Sequence, residues 1–175
     1  MPERPAASTE NPLAGGDATP QLPPIVVLDG NECRQVLARQ RMCVMAVADG
    51  PDPYAVPLYF GFDGEAMYLG VAEGRKTRAL DVNPRVCVVV IEEGPGDAWR
   101  SVQVAGVATC LLDAVERARG IQVLIDHNRR SGGDADAVAR PVPAPRPRTG
   151  GRVLRIDGAV ITGRARPIVA GGAVP

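Results

Sequence analysis

Apolar and polar residues alternate along much of the chain, and this period of two predicts strands more often than helices. A short helix is predicted from Asn31, because Cys33, Val36 and Leu37 recur at helical spacing. A second helix is predicted over 75–81, and a third from Asp113 to about His127, where Asp113 and Glu116 have capping-box spacing. The predicted strands cover 42–48, 54–60, 65–71, 85–91 and 99–112, with a last strand or hairpin over 152–168.

The turns between these strands are short, which indicates antiparallel neighbours. DGPDP at 49–53 and GFDG at 61–64 are turn sequences, and Pro57 favours an edge or a bulge over a central strand position. The continuous apolar run at 85–91 predicts a strand buried on both faces. Five or six strands with so few helices predict a mainly β fold, a small closed antiparallel barrel, since closure removes exposed edges.

The boundaries of the domain follow from proline, glycine and charge. Residues 1–24 hold six prolines among small and polar residues and are predicted to form a disordered tail. The folded domain is predicted to span 25–168, with a loop rich in proline and arginine at 129–151 and a C-terminal tail at 169–175. That loop is interpreted as a solvated connector, or alternatively as an arm over an anionic ligand or a partner subunit.

Composition excludes several classes of function. The 175 residues include 20 basic and 20 acidic side chains, so the formal net charge is zero, which argues against a nucleic-acid partner or an anionic membrane surface. No apolar run reaches the length of a membrane span, and the first residues lack the pattern of a signal peptide. We therefore expect a cytoplasmic protein. Its four cysteines, with no paired spacing, are expected to be reduced core residues. They are Cys33, Cys43, Cys87 and Cys110.

Side chains suited to acid–base or metal chemistry are scarce. His127 is the single histidine, and its place near a helix end is typical of a residue that complements the helix dipole. One imidazole and scattered cysteines do not make a metal-ligand set, and no phosphate loop or dinucleotide fingerprint is present. If the protein is an enzyme, a bound cofactor is expected to carry the chemistry.

One short segment has the features of an anion site. Arg75, Lys76 and Thr77 follow Gly74 at the start of a predicted helix, where unpaired backbone N–H groups and the positive end of the helix dipole meet two cations and a hydroxyl. Lys76 is also the single lysine among the 20 basic residues. This combination suits a terminal phosphate, although basic residues at helix starts are often merely solvated.

The wider sequence resembles the FMN-binding split-barrel superfamily, which includes pyridoxamine 5′-phosphate oxidase and the Nim-type nitroimidazole-resistance proteins. The resemblance rests on PYAVPLY, on YLGVAEGRK, on NPRV, on SVQVAGVA followed by a helix, and on the closing RIDGAVITGRAR. It covers roughly Pro24 to Pro167 and is weakest over 128–151. Each motif is loose alone, but their order and spacing are fairly specific.

This resemblance implies a six-stranded antiparallel split β-barrel that forms a homodimer, with FMN at the subunit interface. It implies that Arg75, Lys76 and Thr77 bind the FMN phosphate. Residues of the PYAVPLY strand would line the flavin ring, largely through backbone groups, and residues of the 99–112 strand would lie near the cofactor, in part across the interface. The ring-lining residues are Val56, Pro57, Leu58 and Tyr59, and those near the cofactor are Trp99, Ser101 and Gln103. Ordinary barrel packing remains open for Tyr59 and Trp99, as does an outward polar face for Ser101 and Gln103.

The implied function is that of an FMN-dependent oxidoreductase, Nim-like, which reduces a small aromatic or nitroaromatic acceptor with NADH or NADPH as donor. Vitamin B6 oxidation is not expected, because the 54–60 strand lacks the arginine of true pyridoxamine-phosphate oxidases. The histidine that many Nim-like proteins carry before GRK is also absent, and Gly70 there is interpreted as extra space over the flavin. The alternatives are a carrier or sensor of flavin, or less readily of haem, on the same fold, and an interaction domain with an empty barrel.

Overall fold

A computed structural model of the chain describes residues 23–132 and 151–168, except for the side chains of residues 158 and 159. The predicted tails lie outside the described residues, apart from Pro23 and Pro24, and so does most of the predicted loop at 129–151. Seven strands and three helices form the described part. They are β1 (Val26–Leu28), α1 (Gly30–Arg39), β2 (Met42–Asp49), β3 (Asp52–Phe62), β4 (Met67–Val71), α2 (Arg75–Val82), β5 (Arg85–Glu93), β6 (Trp99–Cys110), α3 (Ala114–Arg130) and β7 (Arg152–Arg166).

The strands close into an antiparallel barrel. Its order is β7, β4, β3, β2, β5, β6, and the pairing of β6 with β7 closes the ring. This confirms the mainly β, six-stranded split-barrel prediction. The short β1 adds a seventh strand by pairing with β7 at residues 163–165, beyond the point where β4 pairs with residues 152–156. A three-residue strand is too short to leave a periodic signal in the sequence, which is why β1 was not predicted.

The barrel interior holds the main core, built from the inward-facing residues of each strand. Along β5, Val86, Val88 and Val90 are buried, whereas Ile91 is 56% exposed and the intervening Cys87 and Val89 are half-buried. The prediction that 85–91 is buried on both faces is therefore wrong. The outward face of this strand is apolar, but no other described element covers it.

Helix α3 packs across the outside of β3 and β4. A second, smaller core lies between them, built around Tyr68 and Leu111. The helix approaches so closely that a Cβ on Gly61 would lie 2.9 Å from the backbone Cα and N of Leu124. A Cβ on Gly70 would face Leu124 Cδ1 at 3.7 Å. The space at Gly70 therefore faces α3, and the interpretation of Gly70 as extra room over a flavin is wrong.

Helix ends differ slightly from the predictions, for local reasons. Helix α1 begins at Gly30, one residue before the predicted start, because Asp29 and Glu32 form a reciprocal capping box with N–H to carboxylate distances of 2.8 Å. Asp113 caps α3 by accepting from two backbone N–H groups, at Val115 and Glu116. Helix α3 runs to Arg130, three residues past the predicted end and two residues into the predicted loop.

Candidate functional site

The predicted anion site lies at the first turn of α2. The first backbone N–H to donate within the helix is that of Arg78, to the Gly74 carbonyl, so the N–H groups of Arg75, Lys76 and Thr77 have no intrahelical acceptor. A Cβ built on Gly74 would meet no atom within 4 Å, so the turn is open to approach. Unpaired N–H groups, two cations and open space form a donor set that fits a phosphate group.

Arg75 is already oriented by neighbours from the β2–β3 turn. Its Nε donates to Asp49 Oδ2 at 2.6 Å, and its guanidinium carbon lies 4.6 Å from the centre of the Tyr54 ring. Donation to Asp49 raises the pKa of Arg75 further above its usual range, so the side chain stays cationic. Among the described residues neither Nη atom has a hydrogen-bond partner, and both remain able to bind an anion. Asp49 and Tyr54 were not singled out from the sequence, because nothing there links them to a residue more than 20 positions away.

The side chain of Thr77, unlike those of Arg75 and Lys76, is fully buried. Its hydroxyl accepts from the Gly74 N–H at 2.9 Å. The same oxygen lies 2.9 Å from both Glu73 Oε2 and the Gly74 carbonyl, either of which can accept its one proton. The Thr77 hydroxyl thus braces the turn, and the group it can offer to an outside anion is its backbone N–H. Lys76, which is half-buried, forms no ion pair with another described residue.

The predicted ring-lining segment lies on a strand that is open along one side. Residues 52–59 of β3 pair with β2 on one side, while on the other β4 pairs only with residues 60–62. Since the backbone polar groups of successive residues alternate between the two sides of a strand, every second residue in 52–59 directs its C=O away from β2 without a strand partner among the described residues. The same holds for its N–H, except at Pro53 and Pro57, which have none. Val56 and Leu58 pack against the barrel core, whereas Pro57 and Tyr59 point outward. Tyr59 is 50% exposed, so it is not a barrel-packing residue.

The predicted residues of β6 lie elsewhere on the barrel. Ser101 and Gln103 are on its outer face and are separated from β3 by β2 and β5, three strand spacings or roughly 14 Å. Trp99 is opposite Glu93, at the end of β5 that is farthest from α2, about 27 Å along that strand from Arg85. A single protomer therefore does not bring these three residues to the first turn of α2.

Trp99 lines a cleft of about 460 Å³ at that far end, together with Val26, Leu28, Glu92 and Arg166. The guanidinium carbon of Arg166 lies 5.8 Å from the centre of the indole ring. Trp99 is half-buried there.

His127 is a packing residue in this structure. It is buried, its Nε2 lies 2.8 Å from the Gln40 carbonyl oxygen, and its ring packs against Phe60 with centroids 5.1 Å apart. Burial lowers its pKa, which favours the neutral ring at neutral pH. His127 lies in the last turn of α3, near the helix end as predicted, but the prediction that it complements the helix dipole is wrong, because the neutral ring carries no charge to do so. Its ring is not positioned for acid–base work on a ligand at α2.

The described residues contain no cluster of three or more histidine, cysteine or acidic residues that could hold a metal ion. No helix within them combines the length and the apolar character needed to cross a bilayer.

The closed sheet places the chain in the class of small antiparallel β-barrel proteins, and the open strand and the basic helix start both lie on the outside of its barrel. Residues 29–165 match the family model described as pyridoxamine 5′-phosphate oxidase, and the chain belongs to that family.

Solved structures and one curated relative are similar to parts of this chain. A FAD-binding protein from Mesorhizobium loti has 29% sequence identity and a TM-score of 0.65, over 82% of this chain and 99% of that one. A candidate 5-nitroimidazole antibiotic resistance protein from Bacteroides thetaiotaomicron has a TM-score of 0.66, over 83% of this chain and 89% of that one, but 19% identity, which shows a shared fold alone. An uncharacterized Rhizobium meliloti protein, RA0666, is 29% identical over 80 residues, 46% of this chain. The matched part is about half (53%) of that relative's length.

Proposed function

We propose that the protein is a flavin-dependent oxidoreductase that binds FMN with its phosphate at the first turn of α2. The observation that carries the proposal is the presence in one helix turn of two cationic residues, Arg75 and Lys76, and of three backbone N–H groups without an intrahelical acceptor. The membership of the chain in its family and the FAD named for the Mesorhizobium loti protein support a flavin as the ligand, and the choice of FMN among flavins rests on the phosphate site. Arg75 binds the phosphate through its two Nη atoms while Asp49 holds its Nε, and Lys76 adds a point charge.

The flavin ring is placed along the open side of β3. Backbone groups of residues 56–59 that face away from β2 bind the polar edge of the ring, and the outward Pro57 and Tyr59 border it. When bound, the flavin supplies the transfer of a hydride or of single electrons. The protein orients the ring, shields one of its faces and leaves the other open to a small aromatic or nitroaromatic acceptor, with NADH or NADPH as electron donor.

The complete site is proposed to form in a homodimer. Neighbouring strands expose apolar side chains on the outer face of the barrel, including Met42, Val44, Tyr59 and Ile91, which are 41–56% exposed. Exposed apolar surface of this kind is typical of a protein interface. A second copy on this face would cover it and would bring the partner's residues of the 99–103 segment to the flavin, which a single protomer does not do.

Self-association is tested by Val44→Glu, which places a charge in the centre of this face. We expect the wild type to sediment as a dimer and the variant as a monomer with weaker FMN binding. Leu112→Glu is the control, because Leu112 is 88% exposed at a distant turn and should leave the dimer intact. A monomeric wild type would contradict this part of the proposal.

The phosphate site is tested by Lys76→Ala, with FMN and riboflavin compared as ligands. Loss of one charge-assisted contact should weaken FMN binding by roughly 10- to 100-fold and leave riboflavin, which has no phosphate, nearly unchanged. Arg78→Ala is the matched control, since Arg78 is an exposed cation of the same helix. Equal FMN affinity in Lys76→Ala and wild type would reject the phosphate assignment.

A non-catalytic flavin carrier is the second candidate. This candidate is favoured by the burial of His127, the single histidine of the chain. Its Nε2 lies 2.8 Å from a carbonyl oxygen, so the ring is not positioned to act as an acid or base on a substrate. The same burial disfavours haem, because that nitrogen is not open for axial ligation. Oxidation of NADH or NADPH by the flavin-loaded protein in the presence of a nitroaromatic supports the enzyme, whereas retention of flavin without turnover supports the carrier.

A further inference from the structure

Arg152, the first residue of β7, joins both ends of α2 through two carboxylates. Its Nε donates to Glu73 Oε1 at 2.7 Å, and its Nη2 lies 3.3 Å from Glu73 Oε2 and 3.1 Å from Asp81 Oδ2. Its Nη1 also donates to Asp81 Oδ1. Glu73 immediately precedes the Gly74 cap and Asp81 is in the last turn, so one guanidinium fork spans the helix.

The same cluster continues into the turn that carries the proposed phosphate site. Glu73 Oε2 lies 2.9 Å from the Thr77 hydroxyl, and that hydroxyl accepts from the Gly74 N–H. Arg152 lowers the pKa of Glu73, with a smaller contribution from the Thr77 hydroxyl, and it also lowers the pKa of Asp81. Both carboxylates are therefore ionised at neutral pH, so the cluster holds two negative charges and one positive charge.

We propose that Arg152 is a positioning residue for the phosphate end of the flavin site, because it holds and neutralises the carboxylate that braces the anion-binding turn. This inference rests on the proposed flavin function. Arg152 keeps Glu73 against Thr77, so the turn keeps its N–H groups directed outward. It also offsets a negative charge that an incoming phosphate would otherwise meet beside Thr77.

Removal of Arg152 has two physical consequences. The Glu73 carboxylate loses its partner on β7, so the brace to Thr77 loosens and the turn between Glu73 and Thr77 becomes less ordered. The net charge of the cluster falls from −1 to −2, and this repels a phosphate group while a neutral flavin is scarcely affected. Conversion of Glu73 to glutamine restores the net charge to −1, and its amide oxygen can still accept the Thr77 proton.

The test measures the affinities of full-length wild type, Arg152→Gln, Glu73→Gln and the double variant for FMN and for riboflavin, by quenching of flavin fluorescence. Arg152→Gln should weaken FMN binding about tenfold and leave riboflavin binding near the wild-type value. The double variant should regain most of the FMN affinity. Arg155→Gln is the matched control, because Arg155 is on the same strand and pairs with a carboxylate, Asp157, away from α2.

The outcomes separate this inference from the proposed function. An unchanged FMN-to-riboflavin ratio in Arg152→Gln, or an equal loss for both flavins, would overturn the role of Arg152. Failure of the double variant to regain FMN affinity would also overturn it. If Arg152→Gln does not fold, Arg152→Lys is the substitute variant. It keeps the positive charge but loses the bidentate contacts of the guanidinium group, so it should lose less FMN affinity than Arg152→Gln, with riboflavin affinity unchanged. A wild type that binds neither flavin would reject the proposed function itself.

Discussion

Glu92 should make the barrel sensitive to acid. This carboxylate, at the end of β5, accepts from Arg39 of α1 at 2.7 and 2.9 Å and from Arg100 of β6 at 3.0 Å. Its side chain is only 14% exposed. The hydrogen bonds from Arg39, opposed by burial and reinforced by Arg100 and Gln40, lower the pKa of Glu92 from 4.5 to about 2.

The magnitude follows from this difference in pKa. Each pKa unit is worth about 1.4 kcal/mol, so ionised Glu92 contributes roughly 3 kcal/mol to the free energy of unfolding at neutral pH. Because the folded-state pKa is the lower one, this contribution is complete above about pH 5 and is lost as the pH falls toward 2. About 1.4 kcal/mol should remain at pH 3.

The assay is urea unfolding of wild type and Glu92→Gln at pH 7 and pH 3. We expect the variant to be less stable by roughly 3 kcal/mol at pH 7, and the gap to narrow to about half or less at pH 3. Glu93→Gln is the control, because it changes the exposed neighbouring carboxylate, which forms no ion pair with another described residue. A Glu92→Gln variant as stable as wild type at pH 7, or a difference in stability independent of pH, would show that the ionised carboxylate of Glu92 does not stabilise the barrel.

Two further predictions concern the packing of α3 on the barrel. Gly61→Ala should destabilise the protein by about 1–3 kcal/mol, because its Cβ would lie 2.9 Å from the Leu124 backbone, whereas Gly70→Ala should change stability by less than about 0.5 kcal/mol. Urea midpoints of the two variants check this, and equal midpoints would show that α3 moves without cost. Asn128→Ala should cost about 1–3 kcal/mol, because the buried amide donates to the Phe60 carbonyl at 2.9 Å and that oxygen would lose this donor. Native-state amide exchange should then be faster in α3, and unchanged protection would contradict the prediction.

Strand positions were predictable from the sequence because alternation and turn residues act locally. The ends of the six barrel strands differ from the predicted ends by no more than two residues, and α2 begins at Arg75 as predicted. Turn residues between adjacent strands also allowed the antiparallel barrel to be inferred. The basic first turn of α2 could likewise be recognised as a candidate anion site, since a helix start has the same unpaired N–H groups in any fold.

Contacts between distant residues were not predictable in the same way. Arg152 and Glu73 are 79 positions apart, and Arg39 and Glu92 are 53 apart, so no periodicity connects them. The closure of the barrel determines which charged side chains become neighbours. The apolar run at 85–91 was mistaken for a doubly buried strand because an exposed apolar face has the same composition as a buried one.

The proposed binding of FMN through its phosphate at α2 is tested most directly by the visible absorption spectrum of the purified protein, together with the mass of the compound that heat releases from it. We expect a flavin spectrum and the mass of FMN. A colourless protein that also fails to take up added FMN would contradict the proposed function.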